Sequence, residues 1–190
     1  MAEAASGQYY DKLYLVNWSV NQPLSNRDFV SKTSFRGVRV GYRELINEKV
    51  AAGIDLNAYS YKGYEDRQTY VSNGGAITTD FFKYVTSYGA TFVVEYYFLT
   101  ESKIMPYAGL GIGAAHNKFD VFYNLYSTTQ GSWGFLARPQ VGAWMKLGQK
   151  SSWALHGSIQ ADIATTKSTD FDYHNFNTLG LQIGFVYTDW

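Results

Sequence analysis

The chain has 190 residues with 16 basic and 16 acidic side chains, so its formal charge is zero and its pI lies near 6.8. This length suits one domain spanning residues 1–190. A neutral chain lacks the basic field that a nucleic-acid partner demands, and the absence of cysteine excludes thiol catalysis, disulfides and thiolate zinc sites. Aromatics are heavily used, with 17 Tyr, 12 Phe and 5 Trp beside 18 Gly and 3 Pro, a balance that favours pleated strands over helices. No run reaches the roughly 18 apolar residues of a transmembrane helix. Met1 to Ser6 show no basic region followed by an apolar one, so no secretory leader is expected here.

Taken in chain order, a period of two marks eight strands, near residues 10–20, 34–45, 50–61, 84–99, 104–117, 132–146, 152–165 and 177–189. In the first, Tyr14, Val16, Trp18 and Val20 oppose Asn17; in the second, Val38, Val40 and Tyr42 oppose Arg39 and Arg43. The third sets Ile54, Leu56 and Ala58 against Asp55 and Asn57, and the fourth sets Phe92, Val94 and Tyr96 against Glu95. In the fifth, Ala108, Leu110, Ile112 and Ala114 are separated by Gly109, Gly111 and Gly113. The last three continue the pattern: Val141 against Arg138 and Gln140, Ile159 against His156, Ser158, Gln160 and Asp162, and Leu181 against Gln182.

Connections alternate as well. Short polar turns fall at residues 46–49, 100–103 and 147–151, whereas residues 21–33, 62–83, 118–131 and 166–176 are long and polar-aromatic. Within the second of these, Asn73-Gly74-Gly75 is a hairpin turn signal. An up-and-down antiparallel meander with tight turns at one end predicts this pattern.

Period two leaves open which face points outward, and volume decides it. An eight-stranded barrel is filled by about a dozen inward side chains, far fewer than the apolar rows contain. Turned outward, those rows exceed any patch a soluble monomer exposes, so the surrounding solvent is lipid. The inward face then carries Arg39, Arg43, Asp55, Glu95, Arg138 and Asp162. Equal numbers of opposite charges predict an internal ion-pair network, a plugged polar lumen. Tyr14, Trp18, Tyr42, Tyr88, Phe98, Tyr107, Trp144, Trp153 and Tyr187 fall near strand ends, where interfacial girdles are expected.

Pro106-Tyr107-Ala108-Gly109-Leu110-Gly111-Ile112-Gly113 and the ending from Leu179 to Trp190 resemble strands of the small eight-stranded outer-membrane barrels of Gram-negative bacteria, such as the membrane domain of outer-membrane protein A and outer-membrane proteins X and W. The resemblance implies an all-β transmembrane barrel in the outer membrane, with both termini periplasmic and residues 1–9 as a periplasmic segment. It implies contact with outer-membrane lipid and lipopolysaccharide, and a C-terminal signal for the barrel-insertion machinery in Phe185, Tyr187 and Trp190. Trp190 has the parity of the lumen face, which a bulge near Thr188-Asp189 would correct. Function is left open, because this fold hosts adhesins, envelope stabilisers, solute binders and enzymes.

The triple Gly109, Gly111, Gly113 is no nucleotide fingerprint, since no helix follows it. His156 and Ser158 share a strand face and resemble the His-x-Ser of outer-membrane lipid A deacylases, with Asp162 as orienting acid. Ile159 stands where those enzymes carry Asn, and the pair faces the lumen; a hydrogen-bonded lumen histidine is the simpler account. His116, His156 and His174 lack metal-ligand spacing, so neither metal nor cofactor is expected. Phe119, Phe122, Tyr123, Tyr126, Phe171 and Tyr173 in the long connections are candidates for binding an extracellular or envelope protein, or else strand extensions packing on one another. The leading expectation is a non-enzymatic barrel acting through its loops or supporting the envelope. A lipid A-modifying enzyme and a conduit for small apolar solutes, with Leu13, Leu15 and Phe35 beginning an apolar upper lumen, are the alternatives.

Overall fold

The structure is a computed structural model that describes residues 12–72, 75–100, 102–123, 126–148, 151–167 and 175–189. Its strands are β1 (Lys12–Pro23), β2 (Ser34–Asn47), β3 (Val50–Ser72), β4 (Gly75–Tyr97), β5 (Ile104–Tyr123), β6 (Tyr126–Lys146), β7 (Trp153–Ala164) and β8 (Thr178–Asp189). Each pairs antiparallel with its sequence neighbours, and β1 pairs with β8 from Lys12↔Asp189 to Pro23↔Thr178, which closes the barrel. Around the belt, closure leaves no strand edge, the condition hydrocarbon imposes on any spanning sheet.

The outward rows are those the alternation marks. Val16, Val40, Ile54, Leu56, Phe92, Leu110, Ile112, Val141, Ile159 and Leu181 are all exposed, each between 43% and 58%. On a water-soluble domain such residues would be the core, so the belt is the physical signature of a lipid solvent. Below it runs a chain of rings, Tyr42–Tyr14 at 5.4 Å, Tyr14–Tyr187 at 6.3 Å and Tyr187–Trp153 at 5.1 Å, near the short turns. Tyr107 and Trp144, expected in that girdle, turn inward instead and are buried. Their parity is that of the lumen residues Gly109 and Gln140, and parity overrides position near a strand end.

Four strands are far longer than a bilayer needs. β3 and β4 have 23 residues each and β5 and β6 have 20 and 21, against about 9–11 for a tilted transmembrane strand. The described residues within 62–83 and 118–131 are therefore ladder rather than loop: β3–β4 pairing runs to Ser72↔Gly75 and β5–β6 pairing to Tyr123↔Tyr126. The 3–4 ladder shifts register between Glu65 and Gln68. No shift occurs near Thr188 and Asp189, where β8 stays in phase with β1. The bulge expected there is thus missing from the described residues. The segment 1–9, Phe171, Tyr173 and Trp190 lie outside the described residues.

Candidate functional site

The lumen is filled in three tiers. Nearest the short turns lies an apolar cluster of Leu13, Leu15, Ala51, Tyr97, Met105, Tyr107, Trp144, Ala154 and Val186. Leu13 and Leu15 thus close the lower end, while Phe35, expected with them in an upper lumen, lies outside and is 62% exposed.

The middle tier is ionic. Arg43 donates through Nε to Glu95 Oε1 at 2.8 Å and through Nη1 and Nη2 to the two oxygens of Asp55 at 2.7 and 3.0 Å. Arg39 bonds Asp55 from the other side and donates to Gln140, Gln160 and Gln182. Arg138 donates through Nε and Nη2 to Asp162 at 2.6 and 2.9 Å and through Nη2 to Asn57 at 2.7 Å. All three arginines and all three acids are buried. Setting the guanidinium groups among carboxylates and amides, those of Arg43 and Arg138 bidentately, offsets the loss of water, which otherwise costs several kcal/mol per ion. Gly41 and Gly89 make the room, since a Cβ at either would run into the side chain of Asp55 or Asn57.

His156, Ser158 and Asp162 sit in this tier but do not form a triad. Nδ1 of His156 donates to Asn17 Oδ1 at 2.7 Å, which leaves Nε2, 2.7 Å from the Tyr107 hydroxyl, to accept that proton. A neutral imidazole with one N–H satisfies both contacts. Ser158 Oγ donates to Gln182 at 3.4 Å, Asp162 is held by Arg138, and no hydrogen bond joins His156 to Ser158. All three side chains face the lumen interior and are buried.

The upper tier is apolar again: Val30, Tyr59, Tyr61, Val85, Phe119 and Phe176, with Phe29 packed against them. Val30 and Phe29 come from the β1–β2 connection, which bends back over the barrel mouth with both amides bonded to Asn26 O. Phe119 belongs to this plug and is fully buried. It is therefore not on offer to an outside partner, contrary to its reading as a loop residue; its odd parity in β5 matches Asn117 and Ala115.

Beyond the belt, the two long hairpins carry exposed and half-buried rings in register. Tyr64 and Phe82 lie 4.9 Å apart, Tyr84 and Phe122 5.8 Å, Phe81 and Tyr123 5.7 Å, and Tyr123 and Tyr126 5.9 Å. Phe122 and Tyr126 are exposed and Tyr123 is half-buried. The four rings from Tyr64 to Phe122 form one outward row across β3, β4 and β5, through the pairs Tyr64↔Phe82 and Phe82↔Phe122. Partial desolvation and the negative charges of Asp80 and Asp66 raise the pKa of the Tyr64 phenol. Sequence reasoning treated these rings as loop content; what it missed is that the alternation continues through them.

No family model and no curated protein matches the sequence. Solved structures do match its shape. Neisserial surface protein A superposes with a TM-score of 0.61 at 16% identity, covering 94% of this chain and 97% of that one. The outer-membrane protein OprG of Pseudomonas aeruginosa superposes with a TM-score of 0.55 at 13% identity, covering 96% and 98%. The molecule has the fold of the small eight-stranded outer-membrane β-barrels.

Proposed function

We propose that this protein is a non-enzymatic barrel of a Gram-negative outer membrane that displays its β3–β4 and β5–β6 hairpins outside the cell to bind an extracellular or envelope protein. Both termini then lie in the periplasm, on the side of the short turns. The observation that carries the reading is the length of strands β3 to β6, which continue past the belt as paired sheet bearing an exposed aromatic row. A rigid ladder presents its rings without the ordering cost that a flexible loop incurs on binding, and aromatic rings supply large contact area. The non-enzymatic half is supported by the hydrogen bonds of His156 and Ser158, which go to Asn17, Tyr107 and Gln182 rather than to each other. The plug formed by Val30, Phe119 and Phe176 speaks for a closed body over a solute conduit.

The test is a barrel in which residues 66–80 are replaced by a two-residue turn joining Glu65 to Phe81, which are paired in the parent, and in which Phe82, Tyr84 and Phe122 of the aromatic row are changed to Ser. Cells carrying it should insert the barrel normally, with the heat-dependent gel shift of the parent, and lose adherence or envelope-partner capture. Unchanged adherence and envelope integrity would refute the hairpin-binding reading. Identical lipid A mass spectra from cells with and without the protein are expected; a changed acylation pattern would revive the enzyme.

A further inference from the structure

The outer wall holds a built cationic recess that the lumen network does not use and that borders the aromatic row at Tyr64 and Phe82. Its origin is a bulge in β2: Ser19 pairs with Gly37 and Asn21 with Ser34, so Phe35 and Arg36 together oppose the single residue Val20. Phe35 and Arg36 consequently both face outward, where strict alternation would turn one of them in. The bulge is fixed from outside, since Trp18 stacks on Phe35 at 6.3 Å and donates its indole N–H to Phe35 O at 2.7 Å.

Next to Arg36, β3 continues its outward row through Ser60, Lys62 and Tyr64. Lys62 Nζ lies 5.8 Å from the ring centres of both Phe82 and Tyr84 on β4, a cation–π placement that holds the ammonium at the wall. Lys32 completes a recess of about 620 Å³ lined by these three cations, by Phe35, Tyr64 and Phe82, and by the hydroxyls of Thr33 and Ser60. Lys32, Arg36 and Lys62 are exposed and pair with no carboxylate among the described residues. Two nearby cations do: Lys83 pairs with Glu65 at 2.6 Å and Lys118 with Asp120 at 3.1 Å.

Height identifies the occupant. Val38, Ala58 and Tyr88 form one lipid-facing rung, and Arg36 stands two residues beyond Val38, about 7 Å further up the wall. The recess therefore opens at the level where acyl chains end and headgroups begin. An anion seated there has guanidinium, ammonium and hydroxyl donors around it, and the acyl chains it carries lie directly on Val38, Leu56 and Ala58. A free anion would use only the donors; a phosphorylated glycolipid uses the donors, the rings as sugar platforms and the belt together. We infer that this recess is a binding site for the phosphorylated headgroup of the outer-leaflet glycolipid, the lipid A part of lipopolysaccharide. The inference rests on the outward placement of the long hairpins given under Proposed function.

The experiment uses the full chain in detergent and in nanodiscs, titrated with bisphosphorylated lipid A, with dephosphorylated lipid A and with inorganic phosphate. The parent should bind the phosphorylated lipid roughly tenfold or more tightly than the dephosphorylated one. The double variant Arg36→Gln/Lys62→Gln should lose that difference while keeping the parent's heat-dependent gel shift, and Lys118→Gln should retain it. Equal affinity of parent and double variant, or no effect of the phosphates, would overturn the site; displacement of the lipid by an equal concentration of inorganic phosphate would overturn the glycolipid as occupant. A separate arm labels Val71→Cys on intact cells with a membrane-impermeant maleimide, Val71 being 80% exposed on the β3–β4 hairpin. Labelling only after the outer membrane is breached would overturn the outward placement, and with it the outer leaflet as source, whatever the affinities show.

Discussion

Asp55 receives Arg43 through both of its oxygens, Nη1 to Oδ1 at 2.7 Å and Nη2 to Oδ2 at 3.0 Å, at a point where neither side chain touches solvent. Arg39 reaches the same carboxylate from the other side. The first prediction follows: Asp55→Ala strands two buried guanidinium groups and should destabilise the barrel by about 3–5 kcal/mol. Arg138→Ala, which strands Asp162, should cost a similar amount, while Lys118→Ala on the surface should cost about 0–1 kcal/mol. Urea unfolding from lipid vesicles checks this, and equal midpoints for Asp55→Ala and Lys118→Ala would contradict the network's role.

The second prediction concerns the belt. Leu181 is 47% exposed on the outward face of β8 and Gln182, beside it, is fully buried. Leu181→Arg near mid-membrane should cost roughly 2–4 kcal/mol. Gln182→Ala removes a partner of Arg39 and of Gln160 and should cost about 1–3 kcal/mol. The same vesicle titration ranks the two.

The third prediction tests the lumen histidine. Tyr107→Phe leaves His156 Nε2 without its 2.7 Å partner and should destabilise by about 1–3 kcal/mol. His156→Ala should destabilise too, through the lost contacts to Tyr107 and Asn17, and leave lipid A chemistry in living cells unchanged. A stable His156→Ala barrel with altered lipid A would reverse the assignment.

A fourth prediction separates body from display. Replacing residues 66–80 removes ladder outside the belt but none of the lumen tiers. The urea midpoint should shift far less than it does for Asp55→Ala, although a large part of the β3–β4 hairpin is gone.

Strand number, order and facing were legible because lipid and lumen write opposite chemistries at alternate positions, as at Leu181 and Gln182. The charges of the middle tier were legible as a set but not as pairs: that Glu95 joins Arg43 across β3 depends on barrel curvature and stagger. Tyr107, Trp144 and Phe119 carried their direction in their parity, yet an aromatic near a strand end or in a polar segment resembles a girdle or loop residue. The hairpin extensions were hidden because, outside hydrocarbon, both faces of a ladder tolerate polar residues. The bulge that turns Phe35 outward left no local mark, since Phe35-Arg36-Gly37 reads as ordinary alternation until its partner strand is known.

The distribution of lumen charge bears on how the wall is put together. Counting only these buried ions, the β6–β7 hairpin brings Arg138 with its own Asp162 and is neutral. The β2–β3 hairpin brings Arg39 and Arg43 with Asp55, one positive charge in excess, and the missing negative charge arrives with Glu95 on β4. The first of these hairpins can leave water on its own, whereas the second is balanced only after its successor docks. Assembly is thereby given a preferred sequence of events, and a strand zipped two residues out of step is refused by an unmatched charge.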